Sequence, residues 1–468
     1  MTTRLICFKR RAQAEPGTRF NALMGLLAEP EGLRESFDCQ PGNKASGVDG
    51  ISKRQYADNV EDKLVKLSAA VRRLGYKPQP VRRVYIPKAD GRRRPLGIPS
   101  FEDRIVQDRL SRILQAIWEP EFRDCSYGFR PGCNAHQALA RLGEIVTQER
   151  TQWIVEADIK GFFDHVSHEH LMRFVAHRIA DEKLLRILRR FLKAGAMEAG
   201  QFSGTDTGTP QGGLVSPVLA NIYLHYVLDL WFEKRYARHC CGKAYLVRYA
   251  DDFVACFENE QDAKRFLPTL SERLGQFSLQ VEPTKTSVLR FGAHALWTCR
   301  RDGRTRPQTF NFLGITHYVR RTRGGNFALG RKTQRQRFQR KLKDLSVRLS
   351  ALRLQGGRAM MLHVRRHLDG HFQYYAVSGN IRSIRTYAFR AARLLFKWLN
   401  RRSQRRSISW ERFSPLLQVL LPVSRIIHNL TPTTPPRPCT GSAASNACRT
   451  SVPLALRVRV GWSAASNA

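Results

Sequence analysis

Asp251 and Asp252 are adjacent carboxylates between two apolar runs that favour β-structure, Tyr245-Leu246-Val247 before them and Phe253-Val254-Ala255-Cys256-Phe257 after. The pattern predicts strand, acidic turn, strand, with both carboxylates at the tip of a hairpin. Like charges this close repel one another, and a divalent cation relieves the repulsion. A third carboxylate, Asp158, ends the short apolar run Trp153–Ala157. If the three converge, their hard oxygens suit Mg²⁺ and leave positions for water and a phosphate. Two such ions would align an attacking hydroxyl with a pyrophosphate leaving group. Spacing alone fits an ordinary Asp-bearing turn equally well.

The segment Gly208-Thr209-Pro210-Gln211-Gly212-Gly213 permits close backbone approach to a ligand, and its Gln can both donate and accept. An ordinary glycine-rich turn explains it equally well. His165, His168 and His170 cluster without the spacing of a metalloprotease site and read as surface helix residues.

These groups need elements to hold them. Val81 to Ile86 reads as a strand, followed by the turn signal Asp90-Gly91 and then Arg92-Arg93-Arg94-Pro95. Ile105, Leu110, Ile113, Leu114 and Ile117 predict a helix within Phe101–Phe122. Ser167 is placed to cap a helix that follows Asp158. Residues 1–41 are weakly patterned. From Gly42 to about Tyr318, helical and strand patterns alternate.

The chain of 468 residues carries 79 Lys and Arg against 39 Asp and Glu, a net charge of +40. Self-repulsion on that scale disfavours a compact state unless a polyanion binds, which points first to nucleic acid, with an anionic membrane surface as the weaker alternative. From Arg320 to Trp410, 24 Lys and Arg face only Asp344 and Asp369. Apolar register persists there: Phe338, Leu342, Leu345, Leu349 and Leu352 predict an amphipathic helix. A second helix, Ser383 to Arg402, carries Arg390, Arg393, Lys397 and Arg401 as one basic face suited to tracking phosphates. No apolar run reaches the ~20 residues that span a bilayer, and the basic N-terminus lacks the apolar run of a secretory signal. The ten Cys lack paired C-x-x-C spacing, so reduced thiols are expected rather than disulfides or zinc. Thr431–Ala468 has no acid, repeats Ser-Ala-Ala-Ser-Asn-Ala at 442–447 and 463–468, and reads as a disordered tail.

Several segments in order resemble the motifs of group II intron reverse transcriptases. Arg83–Pro99 resembles the first fingers motif, Ser126–Gly132 the second, Asp158–Asp164 the third, Gly208–Asn221 the fourth and Tyr249–Asp252 the fifth. Leu279–Thr286 and Phe312-Leu313-Gly314 are similar to the sixth and seventh, and Gly47-Val48-Asp49-Gly50 fits the family's N-terminal extension. More loosely, residues 331–420, with Gly370–Tyr375 and Trp398–Arg402, look like the thumb and maturase region.

The resemblance implies an α+β right-hand polymerase: fingers, a palm with an antiparallel sheet, a helical thumb, then a basic helical maturase region. It implies an N-terminal segment 1–41, fingers and palm 42–320, thumb and maturase 321–430, and the tail 431–468. The reaction implied is attack of a primer 3′-hydroxyl on a dNTP, templated by RNA. Asp158, Asp251 and Asp252 would carry catalytic Mg²⁺. Lys88 and Arg94 would hold the triphosphate, Gln211 would lie beside the nucleotide, and Phe163 would reject a 2′-hydroxyl. Ala250, Lys285, Phe312, Leu313 and Gly314 would lie at the primer and template. Arg390, Arg393, Lys397 and Arg401 would bind RNA.

The expected partners are intron RNA, an RNA template with a DNA or RNA primer, dNTPs and a DNA target, in a cytoplasmic ribonucleoprotein of bacterial type with no membrane. The family's optional endonuclease domain needs paired metal-ligand motifs after residue 430, which the tail does not supply. A splicing-only maturase would be expected to lose its acidic triad, and all three carboxylates stand here. A CRISPR-associated, defence or diversity-generating enzyme would share the polymerase motifs; the basic region after 331 favours the intron reading.

Overall fold

The computed structural model describes residues 3–87, 93–198, 201–204, 207–208, 212–402 and 408–430. The chain divides into two compact units, Met1–Leu313 with Tyr318–Leu329, and Gly314–His317 with the chain from Gly330 onward. The strands are β1 Val81–Pro87, β2 Arg93–Ile98, β3 Trp153–Asp158, β4 Ala196–Glu198, β5 Gln201–Ser203, β6 Ala244–Tyr249, β7 Asp252–Phe257, β8 Ser287–Arg290, β9 Phe310–Phe312, β10 Ile315–Arg321 and β11 Phe327–Thr333. The expected boundary at 320 falls inside β10.

Two sheets organise the first unit. One has the order β2-β1-β4-β5; β1 and β2 form an antiparallel hairpin that sets Arg94 opposite Ile86. The other has the order β6-β7-β3-β8 and is antiparallel throughout. Strand alternation gives β3 two different faces. Val155 and Ala157 point into the main core with Phe253, Ala255 and Phe257 of β7. Ile154, Glu156 and Asp158 form the opposite row. Helices Ser216–Leu224 and Glu260–Gly275 supply Val218, Leu219, Ile222, Phe266 and Leu270 to the same core.

Residues 3–41 contribute to this core rather than standing apart. Helices Thr3–Ala14, Met24–Leu27 and Pro30–Asp38 contribute Leu5, Leu26, Leu27 and Leu33, all fully buried. Two of the three are too short for apolar periodicity to show in the sequence. Arg109, itself fully buried on helix Phe101–Trp118, fixes the segment by donating to the Leu26 carbonyl (3.0 Å) and to Glu29 Oε2 (2.6 Å).

In the second unit, helices Arg335–Leu352, Gly357–Tyr375 and Ile381–Asn400 pack together through Leu345, Leu349, Val364, Leu368, Ile384, Tyr387 and Leu395. The predicted 3- and 4-residue stripe is the buried side of the first of these, although Phe338 and Leu342 are only partly covered. The His371 ring stacks on Tyr387 at 3.7 Å between centroids and 5° between planes. No described helix is long and apolar enough to cross a membrane. Among the described residues every cysteine is free. The tail 431–468 lies outside the described residues.

Candidate active site on the antiparallel sheet

Tyr249 pairs with Asp252, so Ala250 and Asp251 alone form the loop between β6 and β7. Asp251 therefore sits at the tip, whereas Asp252 opens β7 and stands directly opposite Asp158 at the end of β3. Directly opposed residues in an antiparallel pair share a face, with Cβ atoms about 5 Å apart. The sheet register thus brings the Asp158 and Asp252 carboxylates together, and the turn adds Asp251 beside them.

The turn is held against its own preference. Ala250 adopts φ +59°, a left-handed conformation normally left to glycine at the first position of a two-residue hairpin loop. Two neighbours hold it there. The segment Cys125–Gly128 runs alongside β6 through Tyr127 N to Arg248 O (2.9 Å) and Arg248 N to Cys125 O (2.7 Å). A Cβ at Gly128 would collide with the Ala250 nitrogen, so only glycine fits there.

Behind the turn lies Arg248, with no exposed surface. It donates to Asp229 Oδ1 (2.7 Å) and Oδ2 (2.5 Å), Ser126 Oγ (2.7 Å), Asn221 Oδ1 (3.2 Å) and the Ala250 carbonyl (2.9 Å). Asp229 reaches it from a π-helical turn, His225–Asp229, that widens the helix begun at Ser216. The network is not visible in the sequence beyond one signal, a charged residue inside an otherwise apolar strand run, at Arg248.

Burial, and then the neighbouring Asp158, raise the Asp251 carboxyl above its ordinary value, while Arg94 and Lys285 pull it back. Arg94 on β2 thus contributes its positive charge at the acidic turn. The segment after Leu279 runs beside the end of β3, through Lys160 N to Gln280 O and Glu282 N to Asp158 O (both 2.8 Å). That path brings Lys285 to Asp158 as an ion pair. Burial opposes the charge on Lys285, but pairing with Asp158 outweighs it and raises its pKa. Glu156, two residues before Asp158 on the same face, is pushed up to about 7 by burial and by Asp158. Its Oε2 accepts from Asn311 N at 3.3 Å. Glu156 is not among the residues expected at the site, although an acid amid the apolar run of β3 marks it.

Among the described residues no three His, Cys, Asp or Glu side chains form a ready-made metal cage. The donor chemistry nevertheless fits a divalent cation. Hard carboxylate oxygens are crowded at one strand end, and lysine already serves one of them as a counter-charge.

The described glycines of the 208–213 segment pack close to the same elements. Gly208 N donates to the Val166 carbonyl at 2.8 Å, and a Cβ at Gly208 (φ +86°) would strike the Phe163 and Asp164 carbonyls. A Cβ at Gly212 (φ +118°) would likewise strike the Gly97 carbonyl at the end of β2. Phe163, half-buried, meets Phe162 edge-on at 5.3 Å between centroids. Ser167 Oγ caps its helix by accepting from His170 N, and His168 Nε2 lies 2.6 Å from the Gly208 carbonyl. Two expected nucleotide contacts, Lys88 and Gln211, lie outside the described residues.

Phe312 and Leu313 are buried, and Leu313 and Gly314 both have positive φ. Arg390, Arg393, Lys397 and Arg401 are all exposed, in or just after helix Ile381–Asn400 of the second unit. Each lies over an aromatic ring: Phe338, Trp410, Trp398 and Trp398, at 5.6, 4.9, 5.8 and 5.6 Å from the centroids.

Residues 86–317, which run from the end of β1 into β10 and include Asp158, Asp251 and Asp252, match the family model described as reverse transcriptase (RNA-dependent DNA polymerase). Residues 86–317 are a reverse transcriptase domain. Protein YkfC of Escherichia coli (strain K12) is 37% identical over 231 residues, covering 48% of this chain and 60% of YkfC. Group II intron-encoded protein LtrA of Lactococcus lactis subsp. cremoris is 40% identical over 216 residues, covering 45% of this chain and 36% of LtrA. The chain thus spans less than two thirds of either relative. A solved apo telomerase from Candida tropicalis aligns over 55% of this chain and 59% of its own, at 13% identity and a TM-score of 0.39. That likeness is too distant to add to the argument.

Proposed function

We propose that this protein is an RNA-directed DNA polymerase that joins dNTPs to a primer 3′-hydroxyl along an RNA template. We further propose that it binds group II intron RNA to assist splicing and mobility. The carrying observation is the register of β3 against β7, which sets Asp158 opposite Asp252 with Asp251 in the adjoining turn, inside the stretch that matches the reverse transcriptase model.

Asp158, Asp251 and Asp252 would hold Mg²⁺. Bound there, it supplies the positive charge that phosphoryl transfer needs at the attacking and leaving oxygens. The chain's own groups do the rest. Arg94, with Lys88, faces the triphosphate as a cation suited to spread phosphate charge. Phe163 and Gln211 border the nucleotide, Phe163 filling the space of a 2′-hydroxyl. Ala250 leaves room for the primer end, and Lys285 and the Phe312–Gly314 backbone steady the primer. The exposed bases Arg390, Arg393, Lys397 and Arg401 engage RNA phosphates. The intact triad favours a working polymerase over a splicing-only RNA-binding protein.

Asp251→Asn and Asp252→Asn test the site. Each is expected to abolish dNTP incorporation on an RNA template while RNA binding holds. Undiminished incorporation by both variants would overturn the assignment. The intron role is tested by the genomic surroundings: a structured intron around the coding sequence supports it, and its absence removes it.

A further inference from the structure

Phe389 breaks the pattern of its helix. Residues 381–400 bury Ile384, Tyr387, Ala391, Leu395 and Leu399 on one side, yet Phe389 points the other way with 59% of its surface exposed. Its neighbours along that outer face are cationic. Arg385 and Arg393 stand one turn before and after it, Arg382 lies about two turns before, and all are exposed. The helix contains no acid; the nearest in sequence is Glu411.

A second ring extends the surface. Trp410, at the start of helix Trp410–Leu420, is partly exposed and meets Phe389 edge-on at 6.2 Å between centroids. The Arg393 guanidinium lies 4.9 Å from the Trp410 centroid, and Phe396 and Phe413 support the indole from beneath at 5.2 and 5.8 Å. Trp410 and Arg393 are therefore ordered by packing, and Phe389 by the helix, before any ligand arrives.

A single exposed aromatic is ordinary surface, but here two rings adjoin among arginines of a helix without acids, so an occupant must bring the negative charge. The surface has the composition of a stacking platform: a ring to carry a base, and cations spaced to meet the phosphates on either side. A paired base keeps its faces covered by its neighbours, so the platform selects bases that are free to leave the stack.

We propose that Phe389 and Trp410, flanked by Arg385 and Arg393, form a docking site for an unpaired RNA base in a loop or bulge. This inference rests on the RNA-binding role proposed above for the same helix, and adds to it a preference for single-stranded segments that phosphate contacts alone do not create.

The test uses the full chain with two RNAs of equal length, one a hairpin with 5-iodouridine in its loop, the other fully paired with 5-iodouridine in the stem. Irradiation is expected to attach the loop RNA to a peptide containing Phe389 or Trp410, and the paired RNA not to attach there. Phe389→Ala is expected to weaken binding of the hairpin by about tenfold, from the range for removal of one base stack, with an unchanged salt slope. It leaves the paired RNA's affinity as it was, and Phe389→Trp restores loop binding. Because Phe389 is exposed, its removal leaves the core intact.

Equal weakening for both RNAs, no weakening for the hairpin, or attachment confined to other peptides would each overturn the proposal. So would concentration-dependent self-association that Phe389→Ala abolishes, because a second copy would then be the occupant. If the parent protein binds both RNAs and Phe389→Ala changes nothing, only the platform falls. If the parent binds neither RNA, the RNA-binding reading falls with it.

Discussion

Arg248 donates from Nη1 to the carbonyl of Ala250 across 2.9 Å, and so holds the residue whose left-handed backbone aims Asp251. The same guanidinium is anchored in a bidentate pair with Asp229, with both side chains fully buried. The acidic turn is therefore positioned by a charge pair that never reaches the solvent face.

Breaking that pair should be costly in two ways. Arg248→Met leaves the Asp229 carboxylate buried without its main partner, and a destabilisation of about 3–5 kcal/mol is expected. Arg248→Met with Asp229→Leu removes both charges and should recover most of that stability, measured by urea unfolding. Polymerase turnover should not recover with it, because the Ala250 carbonyl remains unheld. Recovery of both would reduce Arg248 to a stabilising role.

Gly128→Ala is a steric test of the same turn. Its new methyl group must displace the Ala250 backbone. A shift approaching 1 Å at reacting groups costs on the order of 10²-fold. Primer extension should therefore show a fall in kcat of at least about tenfold, with little change in primer–template affinity. Unchanged kcat would show that the turn tolerates the displacement.

Phe163 gives a specificity test. Replacement by Ala opens space beside Phe162 at the proposed nucleotide site. Removing the ring should raise rNTP use relative to dNTP use by about 10- to 200-fold, the range for a simple pocket interaction. Competitive single-nucleotide insertion measures the ratio, and a constant ratio would remove Phe163 from the site.

The second unit should weaken in mild acid. Burial, reinforced by Lys341, holds His371 down to about 2 and His367 to about 4. Both folded values lie below the unfolded value near 6.5, so the unfolded chain takes up more protons as pH falls. Their stability contribution is present above 6.5 and is lost progressively as pH drops toward the folded values. From pH 8 to 5.5 each such histidine accounts for about 1.4 kcal/mol. Neither His371 ring nitrogen has a hydrogen-bond partner among the described residues. His371→Phe, which can keep the stack on Tyr387, should therefore flatten the pH dependence of urea unfolding by about that amount. An unaltered pH profile would count against a buried neutral His371.

The basic face should reveal itself through salt. Neutralising Arg390, Arg393 and Lys397 to Gln is expected to weaken RNA binding and to reduce the log–log salt slope by roughly 0.7–0.9 for each phosphate that is no longer neutralised. A slope equal to the parent's would return that face to solvent.

The strands and the acidic turn were legible because their signals are local. Apolar β-favouring runs flank Asp251 and Asp252, Trp153–Ala157 leads to Asp158, and Leu345, Leu349 and Leu352 repeat at helical spacing. The order of motifs along the chain likewise carried the family resemblance. The N-terminal helices were not legible, because four- and nine-residue helices hold too few turns to show a period and their burial depends on Arg109, far away in sequence.

Register and long-range packing decided the rest. No local rule sets Asp158 opposite Asp252 rather than Asp251; the pairing of β3 with β7 does. Nothing near Arg248 in the sequence shows that it will meet Asp229, Ser126 and Asn221, or that Gly128 will press on Ala250. Those interactions join segments up to about 120 residues apart and exist only once the core has formed around them. The sequence by itself determined which charges this protein carries and in what order. Tertiary packing decided which of them meet, because strand register and burial depend on partners that no single stretch of chain contains.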